Sequence, residues 1–203
     1  MILWTIQPLE ILDLLRREGC YRCDPEKGVD PYFLRAYDWL AGKMAERIGP
    51  PPEGVRYPVW AWYRQNGRHR KPDLRSERWC YGYGGMPYVC MELSIPSERV
   101  VLSDFDEWHC VLNDILISDT EEENDAQESY FAALSPAEQV EYKSRNWERV
   151  FDVKRLKNDW VTRGDWVQAT FWELRTEDVR KIRYFTTAYP IKSGLKDREK
   201  LNH

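Results

Sequence analysis

The pattern of hydrophobic and polar positions changes most clearly within residues 100–116, VVLSDFDEWHCVLNDIL. A β-branched run, MELSIPSERVVL, ends at Ser103, and a helical pattern begins at the same point. Ser103 with Asp106, and Asp104 with Glu107, have the capping-box spacing, in which a side-chain oxygen satisfies a free N–H of the first helical turn. The pattern therefore predicts a strand that leads directly into a helix.

This helix is predicted to have two different stripes. Its apolar stripe, with three- to four-residue spacing, consists of Phe105, Trp108, Leu112 and Ile115. A polar row beside it consists of Asp106, His109 and Asn113, which are neighbours on a helix surface. Two interpretations remain open: a capped structural helix in which His109 bonds Asp106, or the edge of a site in which Asp106 orients the imidazole.

Strand and helix patterns also fill the first third of the chain. A short apolar run through Ile6 changes at Pro8 to a helical pattern that should end at Gly19. Residues 31–48 read as a second helix, with Phe33, Tyr37, Leu40 and Met44 on its buried side. In VRYPVWAWYR, aromatic residues fall on both faces of a predicted strand, so both faces should be covered.

The last third contains another helix and two more strands. The acidic run at residues 119–125 reads as a solvated linker. Ser135 and Pro136 should begin a helix that carries Val140, Trp147 and Phe151 on one side. Further on, a strand places Val167, Ala169 and Phe171 on one face and Gln168, Thr170 and Trp172 on the other. A turn at residues 176–178 leads to a second strand through Ile182 and Phe185.

Composition narrows the class of protein. The 203 residues suffice for one core, and ten Trp and twelve Tyr supply large buried areas. We expect one domain over residues 1–190 and a flexible tail over 191–203. Without a membrane-length apolar stretch or a secretion signal, the sequence favours the cytoplasm and no membrane contact. The five Cys should be reduced, and Cys20 and Cys23 lack the second pair of ligands that a metal site would need.

One segment is locally basic although the formal net charge is −4. Residues 64–83 combine arginines with aromatic residues, a combination that suits phosphate pairing and base stacking. Nucleic acid is therefore a candidate partner, held by Arg68, Arg70 and Arg75. The alternative is a solvated loop without a ligand.

The chain resembles an uncharacterised bacterial family, catalogued as domain of unknown function thirty-eight forty-one. The resemblance rests on the opening LWTIQ, the YPVWAWY strand, the block LSDFDEWHCVLN and the closing QATFWEL strand. It extends to about Ala188. It implies no activity.

A more distant resemblance connects the order of elements to the ADP-ribosyltransferase-like fold, in particular to its DNA-modifying toxin branch. In that fold the opening strand carries a His or Arg that holds NAD, and Trp4 occupies this position here. The last strand there begins with a catalytic Glu, and Gln168 occupies that position. Either Glu173 or Asp106 supplies the missing acid, or the domain binds a nucleotide without transferring it.

We therefore predict a single α+β domain with a bent or split mixed β-sheet, packed helices and an ADP-ribosyltransferase-like fold. The first functional hypothesis is an NAD-binding transferase-like protein, such as a toxin or phage-defence effector. Its expected catalytic residues are Gln168, His109 and Asp106, and its expected NAD contacts are Trp4, Thr5, Gln7, Trp62, Asn113 and Trp172. The second hypothesis is a non-catalytic module that binds nucleic acid or a protein through residues 64–83.

Overall fold

The structure, a computed structural model, describes residues 1–24 and 29–189, and within them the chain forms strands and α-helices. In chain order they are β1 (Ile2–Pro8), α1 (Leu9–Glu18), β2 (Cys20–Tyr21), α2 (Leu34–Ile48), β3 (Val59–Arg64), α3 (Leu74–Glu77), β4 (Pro87–Ser94), β5 (Val101–Asp104), α4 (Phe105–Leu112), α5 (Glu121–Ala132), α6 (Pro136–Asn146), β6 (Leu156–Lys157), β7 (Thr162–Arg163), β8 (Val167–Phe171), β9 (Leu174–Arg175) and β10 (Val179–Thr186). Short 3₁₀ helices cover Pro31–Phe33, Ser97–Arg99, Trp147–Phe151 and Thr176–Asp178. The α+β class is confirmed, and the expected tail at 191–203 lies outside the described residues.

The central sheet has the strand order β10-β4-β1-β3-β8-β5. Each pairing between its strands is antiparallel. The prediction of a mixed sheet is therefore wrong. A period-two pattern shows which residues share a face of a strand, but it contains no information about the direction of the neighbouring strand.

The sheet is split between β1 and β3. β1 pairs with β4 over seven positions, from Ile2 opposite Ser94 to Pro8 opposite Tyr88. Against β3 it keeps a single register pair, Trp4 opposite Trp62. Pairing is therefore weak at this point, which we call the split and which separates the half β10-β4-β1 from the half β3-β8-β5 of the one six-stranded sheet.

Each face of the sheet packs against helices. On one face, Leu12 and Leu15 of α1 pack into a cluster with Leu3, Met91 and Phe171. The other face packs, on the β3-β8-β5 half, against a second cluster that includes residues of α2, α4 and the 3₁₀ helix at Trp147–Phe151. Both faces of β3 are therefore covered, as its aromatic residues predicted.

The passage from β5 into α4 follows the predicted order, with Asp104 as the cap. One carboxylate oxygen of Asp104 accepts hydrogen bonds from the backbone N–H groups of Asp106 and Glu107, each at 3.0 Å. The run before it is not one strand, since β4 ends at Ser94 and Pro96 lacks the N–H that would continue a ladder. As a result, β4 lies inside the sheet and β5 at its edge.

The buried face of α4 differs from the predicted stripe. Its buried residues are Glu107, Trp108 and Val111. Ile115 is 54% exposed because the helix ends at Leu112, before the stripe is complete. A spacing rule holds only while the backbone remains helical.

The acidic run is helical, so its interpretation as a linker is wrong. Thr120 caps α5 by accepting a hydrogen bond from the backbone N–H of Glu123 at 3.1 Å. The acidic residues of the first turn face the positive end of the helix dipole, which stabilises them there.

Other helix boundaries agree with the sequence. Gly19 ends α1 in the left-handed conformation, with φ at 79°, and its N–H donates to the Leu15 carbonyl. Ser135 forms the complete capping box of α6 with Glu138. Val140 is nevertheless 59% exposed, and Trp147 follows the helix in a buried position.

Within the described residues, no helix is both long enough and apolar enough to cross a bilayer.

Candidate functional site

The gap between β1 and β3 is bridged by side chains. The Thr5 hydroxyl donates to the Trp60 carbonyl at 2.8 Å. On the other side of the single register pair, His69 Nε2 lies 2.8 Å from the Ile2 carbonyl oxygen, and the His69 ring packs 5.2 Å from that of Trp4. These contacts hold the two halves of the sheet together where strand hydrogen bonds are few.

A pocket of about 150 Å³ lies at this split, and we call it the junction pocket. Aromatic rings form much of its wall and two side-chain amides supply polar groups. Its lining consists of Trp4, Ile6, Gln7, Trp60, Ala61, Trp62, Tyr81 and Gln168. Such a combination suits a flat ring with hydrogen-bonding edges.

The residues at the two positions that the distant resemblance singled out, Trp4 and Gln168, both line this pocket. The predicted NAD contacts Gln7 and Trp62 line it as well. Four of the predicted site residues are therefore brought together from three strands. Tyr81, which the sequence reading did not single out for this site, completes the wall.

The polar groups of the pocket are only partly satisfied. Gln168 Oε1 is buried and has no hydrogen-bond partner among the described residues, and the same holds for the hydroxyl of Ser103, opposite Gln168 on β5. Burial raises the pKa of Tyr81 to about 12, so its hydroxyl keeps its proton. Trp4 donates its indole N–H to Glu92 at 3.3 Å.

Thr5 supports the pocket from behind. It is fully buried, and its hydroxyl accepts a hydrogen bond from the Gln7 amide at 2.9 Å while donating to Trp60. Because both hydrogen-bonding roles are taken within the protein, Thr5 orients Gln7. The prediction that Thr5 contacts NAD directly does not fit this arrangement.

The two candidate acids lie elsewhere. Glu173 is held by Arg22 at 3.0 Å and by Arg175 at 2.7 Å, and these arginines lower the pKa of its carboxyl although burial opposes them. Asp106 lines a different cavity, together with Glu107 and Cys110 of α4. The described lining of the junction pocket thus contains no carboxylate.

His109 of α4 and Asn113, which follows the helix as its C-cap, are exposed. The His109 Nδ1 lies 2.8 Å from the Phe105 carbonyl oxygen, and the Asn113 amide donates to the His109 carbonyl. The expected bond between Asp106 and the imidazole is therefore replaced by a bond to the backbone. His109 does not line the junction pocket; the ring of Phe105 lies between them, 4.5 Å from the ring of His109 and 5.3 Å from that of Trp62.

Trp172, an expected NAD contact, does not line the junction pocket. β8 ends at Phe171, and the next residue turns into the cluster formed with α2 and α4. Trp172 is 7% exposed, and its indole N–H donates to the Gly49 carbonyl at 2.9 Å. It is a core residue.

The basic segment forms part of a groove of about 480 Å³, which we call the basic groove. Its lining consists of Arg70, Lys71, Pro72, Asp73, Leu74, Arg75 and Arg183. Arg75 is paired with Asp73 at 2.7 Å, and Arg75 lowers the pKa of Asp73 to about 2. Arg183, from the distant strand β10, was not predicted.

Two other arginines of the segment lie outside this groove. Arg68 is exposed on the neighbouring turn. Arg64 directs its guanidinium towards the backbone carbonyls of Val153 and Gly164. Of the arginines predicted to bind nucleic acid, Arg70 and Arg75 lie in the groove.

Comparison with known proteins gives one match. The family model described as "Domain of unknown function (DUF3841)" matches residues 2–180. Neither a curated protein nor a solved structure matches the chain significantly.

Proposed function

We propose that this chain, which belongs to the DUF3841 family, binds NAD or a related nucleotide by inserting one flat ring into the junction pocket, as an ADP-ribosyltransferase-like domain. The observation that carries the proposal is the meeting of Trp4 and Gln168. They lie far apart in sequence, the distant resemblance assigns both to NAD, and both line one pocket at the split of the sheet.

The volume of the pocket decides which part of a nucleotide enters. Pockets that enclose a whole drug-sized ligand measure about 300 Å³ or more. At about 150 Å³, the junction pocket has room for one ring, and the sugar and phosphates remain outside. Stacking of a base on aromatic side chains contributes roughly 1–3 kcal/mol.

The lining supports binding better than transfer. Opening the bond between nicotinamide and ribose develops positive charge, which a carboxylate stabilises and an amide does not. Gln168 supplies an amide, while Glu173 is neutralised by two arginines outside the pocket. Recognition of the ring is thus the activity that these residues favour.

Isothermal titration calorimetry with NAD tests the proposal. We expect one site on the wild type, no measurable binding to Trp62→Ala, and about tenfold weaker binding to Gln168→Ala, because one hydrogen bond is lost. Trp160→Ala is the matched control, since Trp160 is a partly exposed Trp that lines other cavities. Separate titrations with nicotinamide and with ADP-ribose identify the end that enters.

No heat of binding for the wild type with any of these three compounds would refute the proposal. An equal loss of binding in Trp160→Ala and Trp62→Ala would do the same, because it would place the ligand away from the junction pocket.

The basic groove supports a second function, the binding of a polyanion such as single-stranded nucleic acid. The specific observation is that Arg183 of β10 joins Arg70 and Lys71 around one groove. The double variant Arg70→Glu/Lys71→Glu should abolish salt-sensitive oligonucleotide binding, because each neutralised phosphate releases counterions. The control is Arg16→Glu/Arg17→Glu, a matched pair of exposed arginines on α1, which should leave oligonucleotide binding unchanged. An affinity for the oligonucleotide that does not change with salt concentration would exclude this function.

A further inference from the structure

A larger cavity lies beside α4, away from the junction pocket. It measures about 430 Å³, within the range of pockets for small molecules, and we call it the α4 cavity. Its lining consists of Asp106, Glu107, Cys110, Ile115, Leu116, Ile117, Ser118, Asn124, Trp160, Val161 and Thr162. Most of these side chains are apolar, so the cavity suits a ligand with an apolar body.

Both charged residues of this lining are acidic, and they are consecutive. Asp106 and Glu107 lie on the first turn of α4. Burial raises the pKa of Asp106, and nearby Asp104 adds to the effect. The thiol of Cys110 has its pKa raised by burial as well, so it stays protonated and is a poor nucleophile. The chemistry of the wall therefore favours holding a cation over covalent attack.

Glu107 is an under-compensated buried carboxylate. Its side chain is 3% exposed, and only Oε1 is engaged, by Arg163 Nε at 2.6 Å. Oε2 has no hydrogen-bond partner among the described residues. A carboxylate oxygen buried in this way is costly unless a donor reaches it, and the terminal torsion of Glu is soft enough to turn the oxygen towards a ligand.

Arg163 cannot neutralise Glu107 alone, because other acids share its guanidinium. It also bonds Asp152 at 3.1 Å and Asp119. Asp119 is also paired with Arg149 at 2.9 Å, and Arg149 pairs with Glu123 at 2.7 Å, so four carboxylates share two guanidinium groups. A further positive charge at the cavity side of Glu107 would reduce this excess of negative charge.

Trp160 provides an aromatic surface at the cavity. It is 45% exposed, and its indole N–H is fixed by a 3.1 Å hydrogen bond to the Ser118 hydroxyl. A fixed indole face attracts ammonium groups through its quadrupole. Trp160 also lines a separate neighbouring cavity, together with Glu121, Glu122 and Asp159.

We propose that the α4 cavity is a binding site for a primary alkylammonium group, with the ammonium at Asp106 and Glu107 and its alkyl stem against Ile117, Val161 and Trp160. The group can belong to a free amine or to a lysine side chain. The site does not depend on nucleotide binding in the junction pocket.

The test is a calorimetric titration of the full chain with three probes. These are n-pentylamine, the blocked lysine N-acetyl-lysine-N-methylamide, and 1-pentanol as the neutral probe of similar shape. We expect binding of at least one of the two cationic probes and none of 1-pentanol. A stronger response to pentylamine identifies a free amine, and a stronger response to the blocked lysine identifies a protein side chain.

Asp106→Asn should weaken binding of the cation by about tenfold or more, because it removes a charge-assisted hydrogen bond. Glu107→Gln should also weaken it, and its urea unfolding curve shows whether the buried network still folds. Asp159→Asn is the matched control, being the same exchange on the other side of Trp160. Equal binding of pentylamine and 1-pentanol, no binding of either cation, or equal effects of Asp106→Asn and Asp159→Asn would overturn the proposal.

Discussion

Asp104 connects three parts of the chain through one carboxylate. One oxygen caps α4, and the other accepts the backbone N–H of Gly164 at 2.6 Å, just after β7. Gly164 has φ at 78°, and a Cβ there would lie 2.8 Å from the Val153 carbonyl oxygen. The turn at Gly164 and the N-terminal cap of α4 therefore both depend on the position of the Asp104 carboxylate.

Loss of this carboxylate should be more costly than loss of an ordinary cap. We expect Asp104→Ala to lower the free energy of unfolding by about 3 kcal/mol, because three N–H groups lose a charged acceptor and two of these hydrogen bonds are buried. Ser135→Ala, which removes the exposed cap of α6, should cost about 1 kcal/mol. Urea denaturation of both variants measures the difference, and similar losses would contradict the connecting role of Asp104.

Glu107 should make stability depend on pH. Burial raises its pKa to about 7 against the opposing effect of Arg163, while Asp104 and Asp119 add negative potential. The folded state thus keeps a proton that the unfolded chain releases near pH 4.5, so this contribution to stability falls as pH rises from about 4.5 to about 7.

Replacing the Glu107 carboxyl with an uncharged amide should remove this dependence of the unfolding free energy on pH. Between pH 5 and pH 8, the unfolding free energy of Glu107→Gln should gain about 3 kcal/mol relative to wild type. Urea unfolding at several pH values checks this, with the exposed Glu121→Gln as control. Curves for wild type and Glu107→Gln that stay parallel would show that Glu107 does not titrate in this range.

At the scale of elements, the sequence predicted features that depend on residues close in the chain. It did not predict features that depend on tertiary contacts. Caps and periodicity predicted α1, α2, α6 and the two faces of β8, because these signals depend on neighbours in sequence. The acidic residues of α5 were misread because charge indicated solvent, although the Thr120 cap was present in the sequence.

The residues of the candidate site likewise include some that the sequence predicted and some that it did not. Trp4, Gln7, Trp62 and Gln168 were chosen from the sequence and meet in the junction pocket. The sequence assigned Tyr81 only to the basic segment and gave Arg183 no role in a site, because no local pattern contains the tertiary contacts that bring them to their pockets. Trp172 was misplaced because β8 ends one residue before it.

The contrast between predicted and observed helix faces can be measured. Val111→Ala should cost about 2 kcal/mol because it opens a cavity under α4, where Val111 is 1% exposed. Val140→Ala, the same exchange at a position that the sequence grouped with Trp147 and Phe151 and that is 59% exposed, should change stability by less than about 0.5 kcal/mol. Thermal or urea unfolding of the pair decides which face each helix buries.

At the scale of the whole molecule, the split makes the contact between the two halves of the sheet depend on few bonds. Thr5→Val keeps the shape of the side chain but leaves the Trp60 carbonyl without its donor. We expect a loss of about 1–3 kcal/mol. Amide hydrogen exchange should accelerate more in β3 than in β4, because β4 keeps seven register pairs with β1. Equal acceleration in both strands would mean that the contact between β1 and β3 is not weaker than the rest of the sheet.

The order of the strands leaves β10 and β5 at the two edges of the sheet. An open edge is a template on which another copy of a protein can add a strand and start a fibre. β10 carries Arg180, Lys181 and Arg183, whose like charges repel the same strand of a second molecule. β5 is four residues long and runs straight into α4, so it offers too short a template for growth. The same order of strands that creates the junction pocket therefore also protects the protein from polymerising through its sheet.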